Sequence, residues 1–199
     1  KAISVTTDVT DKAAVAAMID RVVKELGRID VLINNAGMSI RKPPHELELD
    51  EWNKVIDTNL TSAFVCSKLA YPALKASGNG KVINIGSMMS IFGASFATAY
   101  AASKGGIVQY TRACANAWAP DNIQVNAILP GWIDTDLTRG ARQQVSGLHE
   151  RVLAREAHQL REETADDAVL AADIPDTDYA ELLVGVARHE CPGLLLGAH

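Results

Sequence analysis

The sequence has few cysteines and no disulfide or metal-binding pattern. Its three cysteines, Cys66, Cys114 and Cys191, are odd in number and widely spaced. This favours reduced thiols in a cytoplasmic protein over a disulfide framework. A tail site built from His189, Cys191 and His199 offers too few ligands for structural zinc. We therefore expect no metal cofactor.

Long apolar runs and an excess of positive charge are also absent. No stretch of the 199 residues approaches the length of a membrane span, and the N-terminus lacks a signal-peptide pattern. The net charge is −5, with 22% charged and 48% hydrophobic residues. These values are typical of a globular chain with one sizeable core. They argue against a nucleic-acid partner or a membrane surface.

What is present is an alternation of short apolar strands and amphipathic helices. The predicted elements, in chain order, are a strand at 2–9, a helix from a cap at Thr10 to Gly27, a strand at 30–34, a helix from Asp50 to about Lys75, a strand at 81–85, a helix from Thr98 to Ala119, and a strand at 123–128. This order predicts a partial doubly wound, Rossmann-like parallel sheet with helices on both faces, an α/β fold. Ligands then bind at the carboxyl ends of the strands, which here carry small and polar residues.

Two tyrosines are each followed four residues later by a lysine, in the pairs Tyr71–Lys75 and Tyr100–Lys104. Tyr71 precedes a proline late in a helical segment, so we expect it to pack, with Lys75 in solvent. Tyr100 instead starts a helix, and that helix follows the strand that ends at Ser87. Because residues four apart share a helix face, Lys104 places a cation near the phenol and lowers its pKa from about 10. Tyr100 is therefore the candidate acid or base.

Ser87 and Asn59 are two further polar residues that could take part in a site with Tyr100. Ser87, at a strand end, can hold a substrate oxygen. Asn59 lies in the middle of a predicted helix, where asparagine is a poor helix former. Two interpretations remain open for it: an exposed asparagine, or a local helix distortion that places a water.

Five motifs together make the chain resemble the short-chain dehydrogenase/reductase family. In the family's order they are "NNAG" (34–37), "TNL" with Asn59, "INIGS" with Ser87, "YAASK" with Tyr100 and Lys104, and "PGWIDTD" (130–136). The resemblance extends over residues 1–155, which we expect to form one truncated Rossmann-like domain for dinucleotide binding and catalysis. Residues 156–199 depart from the family, and we expect a divergent helical tail there.

The resemblance implies a role for each matched residue. Tyr100 is the general acid/base, Lys104 bonds the nicotinamide ribose and lowers the pKa of Tyr100, Ser87 orients the substrate, and Asn59 holds a relay water. Other implied cofactor contacts are Asp8 and Val9 at the adenine, Asn35, Ala36 and Gly37 along the adenosine, and Ile133 and Thr135 at the carboxamide. Asp134 and Asp136 are interpreted as helix caps. The implied reaction is hydride transfer between NAD or NADP and a secondary alcohol or ketone.

The family's N-terminal glycine-rich turn, which cradles the pyrophosphate at a helix N-terminus, has no counterpart here. The strand whose end separates NAD from NADP is missing too, so the strand at 30–34 should become an open apolar edge. We expect a fragment of a longer enzyme that is a homo-oligomer in its full-length form. The alternative is a non-catalytic fragment or interaction module that cannot bind the cofactor.

The loop "MSIRKPPHELELDEW" (38–52) resembles the sugar and sugar-acid branch of the family. The expected substrate is a small polyol, a sugar acid or an oxo-acyl compound. Arg41 and Lys42 in this loop are candidates for contacting a substrate carboxylate. The simpler interpretation is that both are solvated loop charges.

Overall fold

A computed structural model describes residues 1–131 of the chain. Its strands β1 (Val31–Asn34), β2 (Lys81–Ile85) and β3 (Gln124–Ile128) form a parallel sheet in the order β1-β2-β3. The register aligns Leu32 with Val82 and Val82 with Val125. The parallel α/β architecture predicted from the sequence is confirmed.

Five α-helices accompany these strands in the described part of the chain: α1 (Lys12–Leu26), α2 (Leu49–Ile56), α3 (Ser62–Ala76), α4 (Met89–Phe92) and α5 (Thr98–Trp118). A π-helical segment, Asp57–Thr61, joins α2 to α3. The crossover from β1 to β2 contains α3, and the crossover from β2 to β3 contains α5. None of the helices within residues 1–131 is both long and apolar enough to cross a bilayer.

Two helix starts differ from the prediction. Asp11, not Thr10, caps α1 by accepting hydrogen bonds from the amides of the first turn. Thr10 instead donates its amide and hydroxyl to Asp8 Oδ1, at 2.9 and 2.7 Å, because the aspartate closes a turn just before the helix. Helix α2 is capped by Glu48 in a capping box, so it begins before Asp50. The predicted end of α1 at Gly27 is confirmed, since this glycine has a φ of 90°.

The predicted strand at residues 2–9 is wrong. These residues carry β-branched side chains, yet they form no strand in the structure. β-branched residues favour extended backbone, but a strand exists only where a neighbouring strand completes its hydrogen bonds. In the described part of the chain β1 pairs with β2 alone, so no ladder reaches residues 2–9.

The hydrophobic core lies between one face of the sheet and helices α3 and α5, with α1 packed against α3. Burial alternates along β2: Val82 and Asn84 are fully buried, whereas Ile83 and Ile85 are half-buried. Within residues 1–131 the helices therefore cover one face of the sheet, whereas the sequence predicted helices on both faces. All four residues of β1 are half-buried, and this strand forms the sheet edge that the sequence predicts for it.

Candidate active site

Asn59 is buried in the π-helical segment, with 2% of its surface exposed. Its Oδ1 accepts the amide of Met38 at 2.8 Å, and its Nδ2 donates to the Met38 carbonyl at 3.0 Å and to Ser103 Oγ at 2.9 Å. Of the two interpretations that the sequence left open, the local distortion is the one found. The carboxamide joins the loop after β1 to helix α5. Its role in holding a relay water stays a prediction.

Tyr100 lies in the first turn of α5, where two local contacts fix its backbone and ring. The Ser103 hydroxyl donates to the Tyr100 carbonyl at 2.7 Å. The Lys104 ammonium nitrogen stands 5.7 Å from the centre of the Tyr100 ring. The helix geometry thus brings the predicted tyrosine and lysine together on one side of α5.

Lys104 is buried, with 4% of its surface exposed, and its Nζ donates to the Ile85 carbonyl at 2.6 Å. Burial lowers the pKa of Lys104 from 10.5 to about 8, because the charged amine loses solvation. The backbone of Gly37 lies close to this amine. A Cβ on Gly37 would stand 3.6 Å from Lys104 Nζ and 3.5 Å from Asn59 Oδ1.

The pKa of Tyr100 lies above its ordinary value of 10, which corrects the expectation that Lys104 lowers it. Burial of the phenol is the largest effect, since the phenolate loses more solvation than the neutral form. The Ser87 hydroxyl and the charge of Arg41 act in the opposite direction. The charge of Arg41 thus opposes the effect of burial on the Tyr100 pKa, while the amine of Lys104 is bonded to the Ile85 carbonyl.

Ser87 lies two residues after the end of β2 and is held between that strand and α5. Its Oγ accepts the amide of Met89 at 3.1 Å, and its own amide donates to Ser90 Oγ at 3.2 Å. The Ser90 hydroxyl in turn donates to the Lys104 carbonyl at 2.8 Å. The short helix α4 thus places Ser87 next to the start of α5, with its hydroxyl beside Tyr100.

The second tyrosine–lysine pair has different surroundings. The Tyr71 hydroxyl donates to the Asp121 carboxylate, and Lys75 Nζ contacts the other oxygen of that carboxylate at 2.7 Å. The Tyr71 ring packs against Trp118, with 5.2 Å between the ring centres. The carboxylate raises the pKa of Tyr71, because a phenolate beside it is disfavoured. The predicted packing role of Tyr71 is confirmed, whereas Lys75 is ion-paired rather than only solvated.

The implied cofactor contacts are spread along the chain. Asp8 and Val9 form the turn before α1, where the Asp8 carboxylate bonds to Thr10 and not to the group around Tyr100. Residues 35–37 are exposed immediately after β1. Ile133 and Thr135, together with Asp134, Asp136 and the tail at 156–199, lie outside the described residues. Within residues 1–131, no three His, Cys, Asp or Glu side chains are grouped as metal ligands would be.

Sequence reasoning missed a buried polar network beneath the site. Asn34 Nδ2 donates to Ser67 Oγ at 3.0 Å and to Asn84 Oδ1 at 2.8 Å. Asn84 Nδ2 donates to Thr111 Oγ1 at 2.9 Å. These bonds connect β1 and β2 to α3 and α5, the elements that carry the site. An asparagine inside each of two apolar strands was the available signal, because a buried amide needs partners.

The residues around Tyr100 have the chemistry to bind a ribose of a dinucleotide, but not its pyrophosphate. An ammonium (Lys104), a phenol (Tyr100) and the exposed amide of Asn35 are donors and acceptors that fit sugar hydroxyls. Gly37 brings the backbone after β1 close to Lys104, since a Cβ there would stand 3.6 Å from its Nζ. The chain has no glycine-rich turn ahead of a helix, so the described residues offer no backbone cradle for a pyrophosphate.

Comparison with known proteins identifies the family. A family model described as short chain dehydrogenase matches residues 1–146. The chain belongs to the short-chain dehydrogenase family. Its motifs and the α/β fold with a parallel sheet agree with that assignment.

Three short-chain dehydrogenases illustrate the similarity. Cis-4-hydroxycyclohexanecarboxylate dehydrogenase of Sinomonas cyclohexanicum is 40% identical over 141 residues, which are 70% of this chain and 57% of that protein. The 2-dehydro-3-deoxy-D-gluconate 5-dehydrogenase of Escherichia coli is 42% identical over 141 residues, 70% of this chain and 56% of that protein. The crystal structure of a gluconate 5-dehydrogenase from Burkholderia cenocepacia in complex with NADP and tartrate is 36% identical, with a TM-score of 0.65 over 67% of this chain and 52% of that one. The chain thus spans little more than half the length of these relatives.

Proposed function

We propose that this protein is an oxidoreductase that moves a hydride between NAD or NADP and a secondary alcohol or ketone. The observation that carries the proposal is the grouping of Tyr100, Lys104 and Ser87 between the end of β2 and the start of α5. The NADP bound to the Burkholderia relative supports a nicotinamide dinucleotide as cofactor. Lys104 and Tyr100 would hold its ribose, and the bound nicotinamide would supply or accept the hydride.

Each residue of the group has a chemical task in this proposal. The raised pKa of Tyr100 keeps the phenol protonated near neutral pH, so it can donate a proton to a carbonyl oxygen. The Ser87 hydroxyl orients that oxygen from the end of β2. A pKa of about 8 leaves most Lys104 side chains charged at pH 7, beside the ring that becomes a phenolate. In the opposite direction, the phenolate form of Tyr100 accepts the proton that the substrate hydroxyl releases.

A sugar, polyol or sugar acid is the substrate class that we propose. The name of one relative gives it a hydroxycyclohexanecarboxylate as substrate, and that of another a dehydro-deoxy-gluconate. Both are small oxygenated acids. We also propose a cytoplasmic location, which the free thiols of Cys66 and Cys114 support. Homo-oligomerisation of a full-length form stays a prediction.

The two tyrosine–lysine pairs allow a matched test. We expect Tyr100→Phe to lower the rate of NADH or NADPH consumption with keto-acid substrates by about 10²–10⁴-fold, because the proton donor is lost. Tyr71→Phe removes a hydroxyl with the same helical spacing to a lysine, and we expect its rate to match the unaltered chain. Absorbance at 340 nm measures the rate, and circular dichroism checks the fold. If the unaltered chain consumes the dinucleotide, an equal rate for Tyr100→Phe would refute the assignment. No consumption by the unaltered chain would favour the non-catalytic alternative.

A further inference from the structure

Lys104 is held at both ends by one short segment of the chain. Its ammonium donates to the Ile85 carbonyl at 2.6 Å. At the other end, its backbone carbonyl accepts the hydroxyl of Ser90 at 2.8 Å. Ile85 is the last residue of β2, and Ser90 lies in the short helix α4. The segment 85–90 therefore contacts both the side chain and the backbone of Lys104.

The Ser90 hydroxyl forms a bridge between Ser87 and Lys104. Its oxygen accepts the Ser87 amide at 3.2 Å, and its proton is donated to the Lys104 carbonyl at 2.8 Å. A hydroxyl is a donor and an acceptor at one atom, so serine can form this bridge and alanine cannot. A Cβ on Gly105 would stand 3.6 Å from the Ser90 carbonyl oxygen. The backbones of α4 and α5 are therefore close together at the bridge.

The turn after β2 is anchored on two sides. On the β3 side, the Gly86 amide donates to the Ile128 carbonyl at 2.8 Å. The Met88 amide donates to the Pro130 carbonyl at 3.0 Å. On the α5 side, the Ser90 hydroxyl makes the bond to the helix backbone. Loss of this hydroxyl would leave the turn fixed to the end of β3 but less firmly held against α5.

We propose that Ser90 is a positioning residue, whose hydroxyl sets the place of Ser87 relative to Lys104 and to Tyr100 on the same helix. Reacting groups work only when neighbouring bonds hold them within about 0.5 Å of the productive geometry. Ser90 contacts neither substrate nor dinucleotide in this proposal, and it acts through Ser87. The inference rests on the proposed function, which gives Ser87 and Tyr100 their tasks.

Ser77, the C-cap residue of α3, offers a matched control. Its hydroxyl also bridges two backbone groups, since it donates to the Leu74 carbonyl at 2.7 Å and accepts the Asn79 amide at 3.4 Å. Both serines are half-buried, so Ser90→Ala and Ser77→Ala should lose similar free energies of unfolding in urea melts. We expect only Ser90→Ala to lower kcat, by about 10–100-fold, with the KM for the dinucleotide within about threefold of the unaltered chain.

A second measurement does not need hydride transfer. Burial raises the pKa of Tyr100, and the Ser87 hydroxyl lowers it. Carbon NMR of ring-labelled tyrosine should therefore show the Tyr100 pKa rising by about 0.4–1 in Ser87→Ala and in Ser90→Ala. In a Ser87→Ala background, Ser90→Ala should add no further rise, because its effect passes through Ser87. Ser90→Thr keeps a bridging hydroxyl and should titrate like the unaltered chain, as should Ser77→Ala.

The outcomes separate this inference from the proposed function. An unchanged Tyr100 pKa in Ser90→Ala, the same rise with and without the Ser87 hydroxyl, or an equal rise in Ser90→Thr would overturn the role of Ser90. Hydride transfer that Ser90→Ala does not slow would overturn it too, and would leave the proposed function intact. The coupled titration in a chain that transfers no hydride would support the placement of Ser87 by Ser90 and contradict the proposed function.

Discussion

The Asn59 carboxamide binds both backbone polar groups of Met38, with distances of 2.8 Å to the amide and 3.0 Å to the carbonyl. A third hydrogen bond, from Asn59 Nδ2 to Ser103 Oγ, measures 2.9 Å. One buried side chain thus fixes the loop that carries Arg41 relative to the helix that carries Lys104. The π-helical segment Asp57–Thr61 is what directs this side chain inward.

Asn59→Ala should therefore destabilise the protein. The substitution leaves the Met38 amide and carbonyl without their partner, and a buried polar group left unsatisfied costs about 1–3 kcal/mol. We expect the free energy of unfolding to fall by about 2–4 kcal/mol, measured by urea denaturation. Thr61→Ala, an exposed change in the same segment, serves as the control and should stay within about 0.5 kcal/mol. If both variants lose a similarly small free energy of unfolding, the hydrogen bonds of Asn59 contribute little to stability.

Burial of Lys104 predicts how stability depends on pH. Its pKa falls from 10.5 in the unfolded chain to about 8 in the folded one. Well below pH 8 both states are charged, so the full cost of burying the ammonium is present. Between pH 8 and 10.5 the unfolded chain binds more protons than the folded chain, so this group makes stability rise with pH. The rise from pH 7.5 to 9.5 should be about 2 kcal/mol.

A Lys104→Met variant isolates this contribution. Cys66 and Cys114, whose pKa values burial raises, act in the opposite sense above about pH 8.5, but both proteins contain them. The difference in unfolding free energy between the two proteins should therefore change with pH through Lys104 alone. Denaturant melts at several pH values between 7.5 and 9.5 give this difference. A difference that does not vary over that range contradicts a lowered pKa for Lys104.

The charge of Arg41 predicts a titration shift at Tyr100. Because a nearby cation stabilises the phenolate, Arg41→Gln should raise the pKa of Tyr100 further above its ordinary value. A pH titration of ring-labelled tyrosine by carbon NMR measures it, with Tyr100→Phe to assign the signal. Lys42→Gln should leave the signal unmoved, since Lys42 is paired with Glu51. A Tyr100 pKa that is the same in Arg41→Gln and the unaltered chain would show that Arg41 does not face the phenol.

Several elements could be predicted because their signals are local. The helix predicted from Thr98 to Ala119 is found at Thr98–Trp118, with a proline close beyond it. β2 and β3 follow the two apolar runs that the sequence marks out. Asn59, a poor helix former in mid-helix, does lie in a distorted helical segment. In each case the pattern depends on neighbours along the chain.

Other features could not be predicted, because they depend on contacts between distant segments. The strand expected at 2–9 is absent, since pairing requires a neighbour in space and β-branched residues do not supply one. The network of Asn34, Asn84 and Thr111 joins residues from three elements. Asp121 reaches back across the fold to Tyr71 and Lys75, which no spacing rule predicts.

The sequence by itself determined which tyrosine is the candidate acid or base, because a strand end and a helix start flank Tyr100 and not Tyr71. Only the tertiary structure decided which cation acts on that phenol. Helical spacing puts Lys104 near the ring, but its ammonium bonds to the Ile85 carbonyl, and the charge of Arg41, from another loop, favours the Tyr100 phenolate. Local periodicity fixes directions within one helix, whereas electrostatic effects depend on distances and burial that only packing sets.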